Sequence, residues 1–247
     1  MALNQALLAD AYDLSWSLPR GTLCPPVPGR SDYLHHLADL LSPDDGGTIP
    51  RGKSVRILDI GSGANCIYPM IGASEYGWSF VATEIDRTSM RWARQIVRIN
   101  RPIATLIEHR LQTNPLACFP GVTNAGERFD ASMCNPPFHA SAKEAAEGST
   151  RKRRNLGLTN AERLNFGGTA NELWCAGGEA GFIERMMLES AARPTLCRWF
   201  TTLVSHSEHM PRLRRSLKSV DPSAVKTIDM AQGQKKSRIL AWTFQRF

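Results

Sequence analysis

Val55-Arg56-Ile57-Leu58-Asp59-Ile60-Gly61-Ser62-Gly63 is the stretch from which the fold is read. Its apolar, β-branched run stops at two glycines around a serine, the pattern of a buried strand ending in a tight turn. Residues 78–83 repeat the strand pattern and are halted by Glu84-Ile85-Asp86. Residues 88–100 then read as an amphipathic helix closed by Pro102. Met90, Ala93 and Val97 share its apolar side, and Arg91, Arg94 and Arg98 line another face, read as solvated. Further strands are expected at 104–108, 129–134 and 198–204, with a helix at 179–192. The last two strands, 224–229 and 238–244, are joined by only residues 230–237. So short a link requires antiparallel pairing, because parallel neighbours need a longer crossover. The expectation is an α/β, Rossmann-like fold: a mostly parallel seven-stranded sheet with an antiparallel C-terminal strand.

Working back toward the N-terminus, residues 1–50 read as an arm and 51–247 as the main domain. In the arm, prolines at 25, 26 and 28 argue against helix over 23–30. A helix is expected from 31 to 41, capped by Ser31 or Asp32, with Leu34, Leu37, Ala38 and Leu41 at helical spacing. Ser42-Pro43-Asp44-Asp45-Gly46-Gly47 ends it.

The 247 residues carry 30 basic and 23 acidic side chains, net +7. Residues 143–163 hold six basic and three acidic residues, and 205–247 hold nine and three. Positive charge is therefore localised, as a polyanionic partner requires, although a solvated basic face has the same composition. A hydrophobic content of 42% excludes a disordered chain. No apolar run is long enough to span a membrane, and Met1-Ala2-Leu3-Asn4-Gln5 lacks the start of an export signal, so the expected location is the cytoplasm. The six cysteines form no C-x-x-C pair and read as reduced thiols; with His206 and His209 too sparse for ligands, no metal is expected.

Three elements carry chemistry. The Gly61-Ser62-Gly63 turn would let backbone approach a ligand beyond the strand ends. The third glycine of a dinucleotide fold is replaced by Cys66, and the Gly-Lys-Ser/Thr of a phosphate loop is absent. Glu84 ends the next strand, where a carboxylate can accept both ribose hydroxyls of a nucleoside; Asp86 is the competitor, or else a helix cap. Asn135-Pro136-Pro137-Phe138 just past the fourth strand is the most specific. An exocyclic amine is a poor nucleophile because its lone pair is delocalised into the ring. The Asn135 side-chain oxygen and the Pro136 carbonyl can accept its hydrogens, orienting it for attack on a sulfonium methyl. Pro136 and Pro137 stiffen the loop, and Phe138 offers a face for an extruded base.

The D-x-G-x-G turn and the N-P-P-F tetrapeptide resemble those of class I amino-group methyltransferases. Longer stretches are more particular: Cys24-Pro25-Pro26-Val27-Pro28-Gly29-Arg30, Gly63-Ala64-Asn65-Cys66-Ile67-Tyr68-Pro69, Arg151-Lys152-Arg153-Arg154-Asn155-Leu156-Gly157-Leu158, Asn165-Phe166-Gly167-Gly168, Glu172-Leu173-Trp174-Cys175 and Met230-Ala231-Gln232-Gly233-Gln234. Together they are similar to the RlmF family, bacterial enzymes that methylate N6 of one adenine in 23S ribosomal RNA. A related eukaryotic enzyme methylates an adenine of U6 small nuclear RNA. The resemblance implies S-adenosyl-L-methionine as cofactor and 23S rRNA, or a large-subunit precursor, as partner. It implies cofactor contacts from Arg30, Asp59, Gly61, Gly63, Ala64, Glu84, Gln112 and Asn114, and adenine contacts from Asn135, Pro136, Pro137 and Phe138. Arg151, Lys152, Arg153 and Arg154, with Lys235 and Lys236, would grip RNA phosphates. Family members usually carry a longer segment ahead of the position of Ala2.

Two other readings stay open on sequence alone. One is an amino-group methyltransferase acting on DNA adenine or protein glutamine. The other is a ribosome-assembly factor that binds RNA with a vestigial site.

Overall fold

The structure is a computed structural model that describes residues 1–19, 22–43, 47–139, 141, 174–232 and 235–246. Its described elements run α1 (Ala2–Tyr12), α2 (Val27–Leu41), β1 (Arg56–Ile60), α3 (Ile67–Tyr76), β2 (Ser79–Glu84), α4 (Arg87–Ile99) and α5 (Arg101–Ala104). Then follow β3 (Ile107–Leu111), β4 (Phe129–Cys134), α6 (Gly178–Ala191), β5 (Cys197–Val204), a 3₁₀ turn (Ser207–His209), α7 (Met210–Val220), β6 (Ala224–Gln232) and β7 (Lys235–Thr243). The sheet order is β3-β2-β1-β4-β5-β7-β6. Every pairing is parallel except those of β7, which runs against both β5 and β6. The expected seven-stranded, mostly parallel sheet with a reversed last strand is what forms.

Both faces of the sheet are covered, which is why its strands are nearly continuous apolar runs. The pleat sends alternate residues to opposite sides. Ile57, Trp199, Ile239 and Ala241 face one core, together with Leu8 of α1, Tyr33 and Leu34 of α2, Ile71 of α3 and Ile96 of α4. Leu58, Phe200, Leu240 and Trp242 face the other, against Ile183 and Met187 of α6 and Leu213 and Leu217 of α7. Each such side chain, fully buried, stabilises the fold by about 1.5–3 kcal/mol. Helices α1 and α2 share the first core with the sheet: α1 packs against α3 and α2, and α2 against α3 and β6.

Three expectations need correction. Helix α2 starts at Val27, not Ser31, because Pro28 sits in its first turn, where no backbone N–H is needed. The third strand begins at Ile107 rather than at 104, since Arg101–Ala104 first makes a helical turn with Pro102 at its start. The terminal hairpin is tighter than the sequence suggested: pairing continues to Gln232 and Lys235.

Candidate active site

In the strand order 3-2-1-4-5 the chain switches direction of progress between β1 and β4, and open α/β sheets bind ligands in the crevice beyond that point. An open cleft of about 950 Å³ lies there. Its wall includes Gly61, Ser62 and Gly63 after β1, Glu84 and Ile85 after β2, and Asn135 and Pro137 after β4. Gln112 and Asn114, following β3, and Arg30 of α2 complete it.

Glycine is required in the turn. Gly61 and Gly63 have φ of +75° and +63°, and a Cβ on Gly61 would project into open space on the cleft side. Glu84 is buried and braced from the backbone. Gly63 N–H donates to Oε2 at 2.8 Å, and Ile85 and Asp86 N–H both donate to Oε1 at 2.8 Å. Its carboxylate thus ties the two strand ends together. Asp86, the competitor, is instead the N-cap of α4, accepting from Ser89 N–H at 2.6 Å. Glu84→Ala would leave three backbone donors without their acceptor; urea titration should show a loss of about 3 kcal/mol.

On the opposite wall Arg30 reaches from α2 to the Tyr68 hydroxyl, with its guanidinium 5.3 Å from that ring's centroid. Arg30 Nε and Ser62 Oγ are buried with no hydrogen-bond partner among the described residues. Unmet donors and acceptors of this kind, in a cleft with a buried carboxylate, fit a ligand that combines a carboxylate, an amino group and ribose hydroxyls. Asp59, two residues before the turn, is fully enclosed, and both its oxygens lack a hydrogen-bond partner among the described residues. Desolvation, with the repulsion of Glu84 added and the attraction of Arg30 opposing, pushes its carboxyl up to about 8. Asp59 and the buried Ala64 do not form part of the cleft wall. Gln112 is held by donating to the Pro120 carbonyl at 2.8 Å while its Oε1 accepts from Asn114 N–H at 2.9 Å.

The Asn135 loop is fixed at its root by a directed chain of hydrogen bonds. Thr201 Oγ1 donates to the Ser132 carbonyl at 2.7 Å, so the Tyr33 hydroxyl, 2.8 Å away, donates to Thr201. That leaves the Tyr33 oxygen to accept from Cys134 N–H at 3.4 Å. Burial raises the Tyr33 phenol well above its ordinary pKa, so it stays a donor. Asn135 and Pro137 then face the cleft, Pro136 is buried beneath them, and Phe138, half-buried, lies outside the cleft wall. Beyond Phe138, His139 bridges to Trp174, and Cys175 N–H donates to the His139 carbonyl at 3.0 Å.

Arg151, Lys152, Arg153 and Arg154, and the Gly167-Gly168 pair, lie outside the described residues. Lys235 and Lys236 open β7. Because β7 runs against β5, they stand at the same sheet edge as Asn135. Sequence reasoning missed Tyr33, Tyr68 and Phe182 of α6, the last two lining the cleft. Tyr68 lay within a quoted motif, Phe182 falls on the apolar side of the helix expected at 179–192, and Tyr33 lies within the helix expected at 31–41 but off the apolar positions that define it.

A family profile described as RNA methyltransferase matches residues 1–246. The chain belongs to this RNA methyltransferase family. It is 53% identical over 243 residues to the ribosomal RNA large subunit methyltransferase F of Pectobacterium carotovorum, covering 98% of this chain and 78% of that one. With the enzyme of the same name from Pseudomonas paraeruginosa it shares 51% identity, over 98% and 74%. Among solved structures, the human METTL16 catalytic domain in complex with an RNA hairpin of the MAT2A 3′UTR is similar at a TM-score of 0.82 and 30% identity, over 99% of this chain and 79% of that one. The N-terminal domain of human METTL16 in complex with SAH is similar at 0.75 and 27%, over 99% and 81%. The chain is thus an RNA methyltransferase that uses S-adenosylmethionine, which supplies an activated methyl group when bound.

Proposed function

We propose that this enzyme methylates N6 of an adenine in 23S rRNA, as free rRNA or within a large-subunit precursor, in the cytoplasm. The observation that carries the reading is that one cleft joins the Gly61–Gly63 turn and Glu84 to Asn135 of the N-P-P-F loop. The names of the large-subunit relatives, matched over nearly all of this chain, support the choice of RNA.

In this reading Glu84 accepts the ribose hydroxyls of the cofactor, and Arg30 faces its carboxylate. Gly61 and Gly63 shape the floor, Ala64 backs the turn from beneath the wall, Asp59 balances charge from behind, and Gln112 and Asn114 border the remaining part. Asn135 and the Pro136 carbonyl accept the two hydrogens of the adenine amine, holding its lone pair toward the methyl group. Pro137 stiffens the loop, and Phe138 stacks on the extruded base. No charged base is needed before transfer, because the methylated amine can shed its proton to water. Arg151, Lys152, Arg153 and Arg154 with Lys235 and Lys236 hold neighbouring phosphates.

Tritiated S-adenosylmethionine offered with stripped large-subunit rRNA, large-subunit precursor particles, DNA and a translation factor tests this. Label in rRNA, recovered as N6-methyladenine, is expected. Label confined to DNA or protein, or no turnover on any of them, overturns it.

A further inference from the structure

Helix α4 carries an arginine row that neither packing nor helix stability explains. Arg87, Arg91, Arg94 and Arg98 are spaced four, three and four residues apart, so they share one face. All four are exposed, and Arg101, also exposed, follows just past the helix end. The opposite side, Met90, Ala93, Ile96 and Val97, is buried against the core.

The row is not neutralised. Arg51, Arg56, Arg110, Arg212 and Arg238 each sit on a carboxylate. None of the five on α4 and α5 does so among the described residues. The nearby carboxylates are committed elsewhere: Asp86 caps the helix, and Glu108 of the neighbouring β3 is held by Arg110. Arg94 donates to the His109 carbonyl at 3.1 Å, and burial, reinforced by the Arg94 charge, lowers the His109 imidazole to about 4. The first turn of α4 has no acidic residue and begins with Arg87. A cation there opposes the helix dipole and like charges at i, i+4 repel, although Arg98, in the last turn, stands where the dipole favours a cation. An arrangement that works against the helix alone is accounted for by an external anion.

Its placement says which. Ile85, two residues before Arg87, forms part of the cleft wall, so the row starts beside the cleft and leads away from it along the flank that carries β3. Four arginines spread over twelve residues, eleven steps of the helix, extend about 16 Å, on the order of four to five nucleotides of a stacked strand. Arginine is the side chain suited to gripping phosphate by two donors at once.

We propose that the Arg87–Arg91–Arg94–Arg98 row is a second RNA contact, a track for the phosphate backbone of rRNA distant from the target adenine. It rests on the rRNA reading above. It is separate from the basic residues at the sheet edge near Asn135, because α4 lies over the opposite, β3 side of the sheet.

The test is a triple variant of the full chain, Arg87→Gln, Arg91→Gln and Arg98→Gln, sparing Arg94 for its carbonyl contact. Binding to large-subunit rRNA is measured across a salt series. Affinity at 0.1 M salt should fall about tenfold or more, and the slope of log affinity against log salt should shrink by about 2. Cofactor affinity and turnover at saturating RNA should stay at the wild-type level. The matching triple lysine variant should bind more tightly than the glutamine variant and keep the wild-type salt slope, since its charges remain while the two-donor grip is lost. Unchanged affinity and slope in the glutamine variant, with wild type active on rRNA, overturn the track alone; so does a lysine variant as weak as the glutamine one. If wild type neither binds nor methylates rRNA, the functional reading fails and takes this inference with it.

Discussion

Asn135→Ala is expected to lower kcat by about a hundred- to a thousandfold, the usual consequence of removing one preorganised polar group that meets charge developing in a transition state. The two hydrogens of the adenine amine need two acceptors, and the proposed pair is the Asn135 side-chain oxygen with the Pro136 carbonyl. Alanine removes the first and leaves the second. The effect stays local because the loop root does not depend on the asparagine side chain. Cys134 is paired with Ile60 of β1, and its N–H is held by Tyr33, which is itself fixed by Thr201. Asn135 is only half-buried, so truncation costs little stability. Cofactor affinity by calorimetry and RNA affinity should therefore match wild type while single-turnover methylation slows. Retained methylation within about threefold of wild type would remove Asn135 from the chemistry.

Much of this geometry was legible from local sequence, and the reason differs by element. The β1 and β4 strands were readable because a buried parallel strand is mostly apolar and has a sharp polar or glycine stop. Ile57 to Ile60, broken only by Asp59, stops at Gly61, and Phe129 to Cys134, broken by Asp130 and Ser132, stops at Asn135. The choice of Glu84 over Asp86 could only be weighed from sequence. It is supported once the backbone amides of Gly63, Ile85 and Asp86 are seen on Glu84 and the Ser89 amide on Asp86. Helix α2 was placed four residues late because a proline was weighed as a breaker without regard to its position in the first turn. Tyr33 was invisible for a deeper reason. Its role arises from contacts 101 residues away with Cys134 and 168 residues away with Thr201, and no local pattern encodes such a meeting. Arg91, Arg94 and Arg98 read as a solvated face; what sequence could not supply was the commitment of Asp86 and Glu108 to other partners.

Asp59 sets the second large expectation, and its sign follows from burial. Its carboxyl stands at about 8 in the folded protein, against an ordinary value of 3.8. Between those limits the folded chain binds the extra proton and the unfolded chain does not, so stability falls as pH rises. Each unit in that window costs up to about 1.4 kcal/mol, hence on the order of 5 kcal/mol from pH 4 to pH 8, with the slope vanishing above pH 8. Asp59→Asn removes the titrating group while keeping the shape. Its unfolding free energy in urea, without cofactor, should change much less across pH 5–8, and at pH 8.5 it should exceed that of wild type. S-adenosylmethionine brings a sulfonium, an ammonium and a carboxylate, a net single positive charge, into a cleft whose wall contains Glu84 and Arg30, the two groups that act on Asp59 through space. Positive charge placed there favours the ionised carboxylate. Binding to wild type at pH 7 should therefore release a proton, seen as a binding enthalpy that varies with the ionisation enthalpy of the buffer, and affinity should climb from pH 6 to pH 8. A buffer-independent enthalpy in wild type, or the same buffer dependence in Asp59→Asn, would show that the buried carboxylate is not coupled to the cleft.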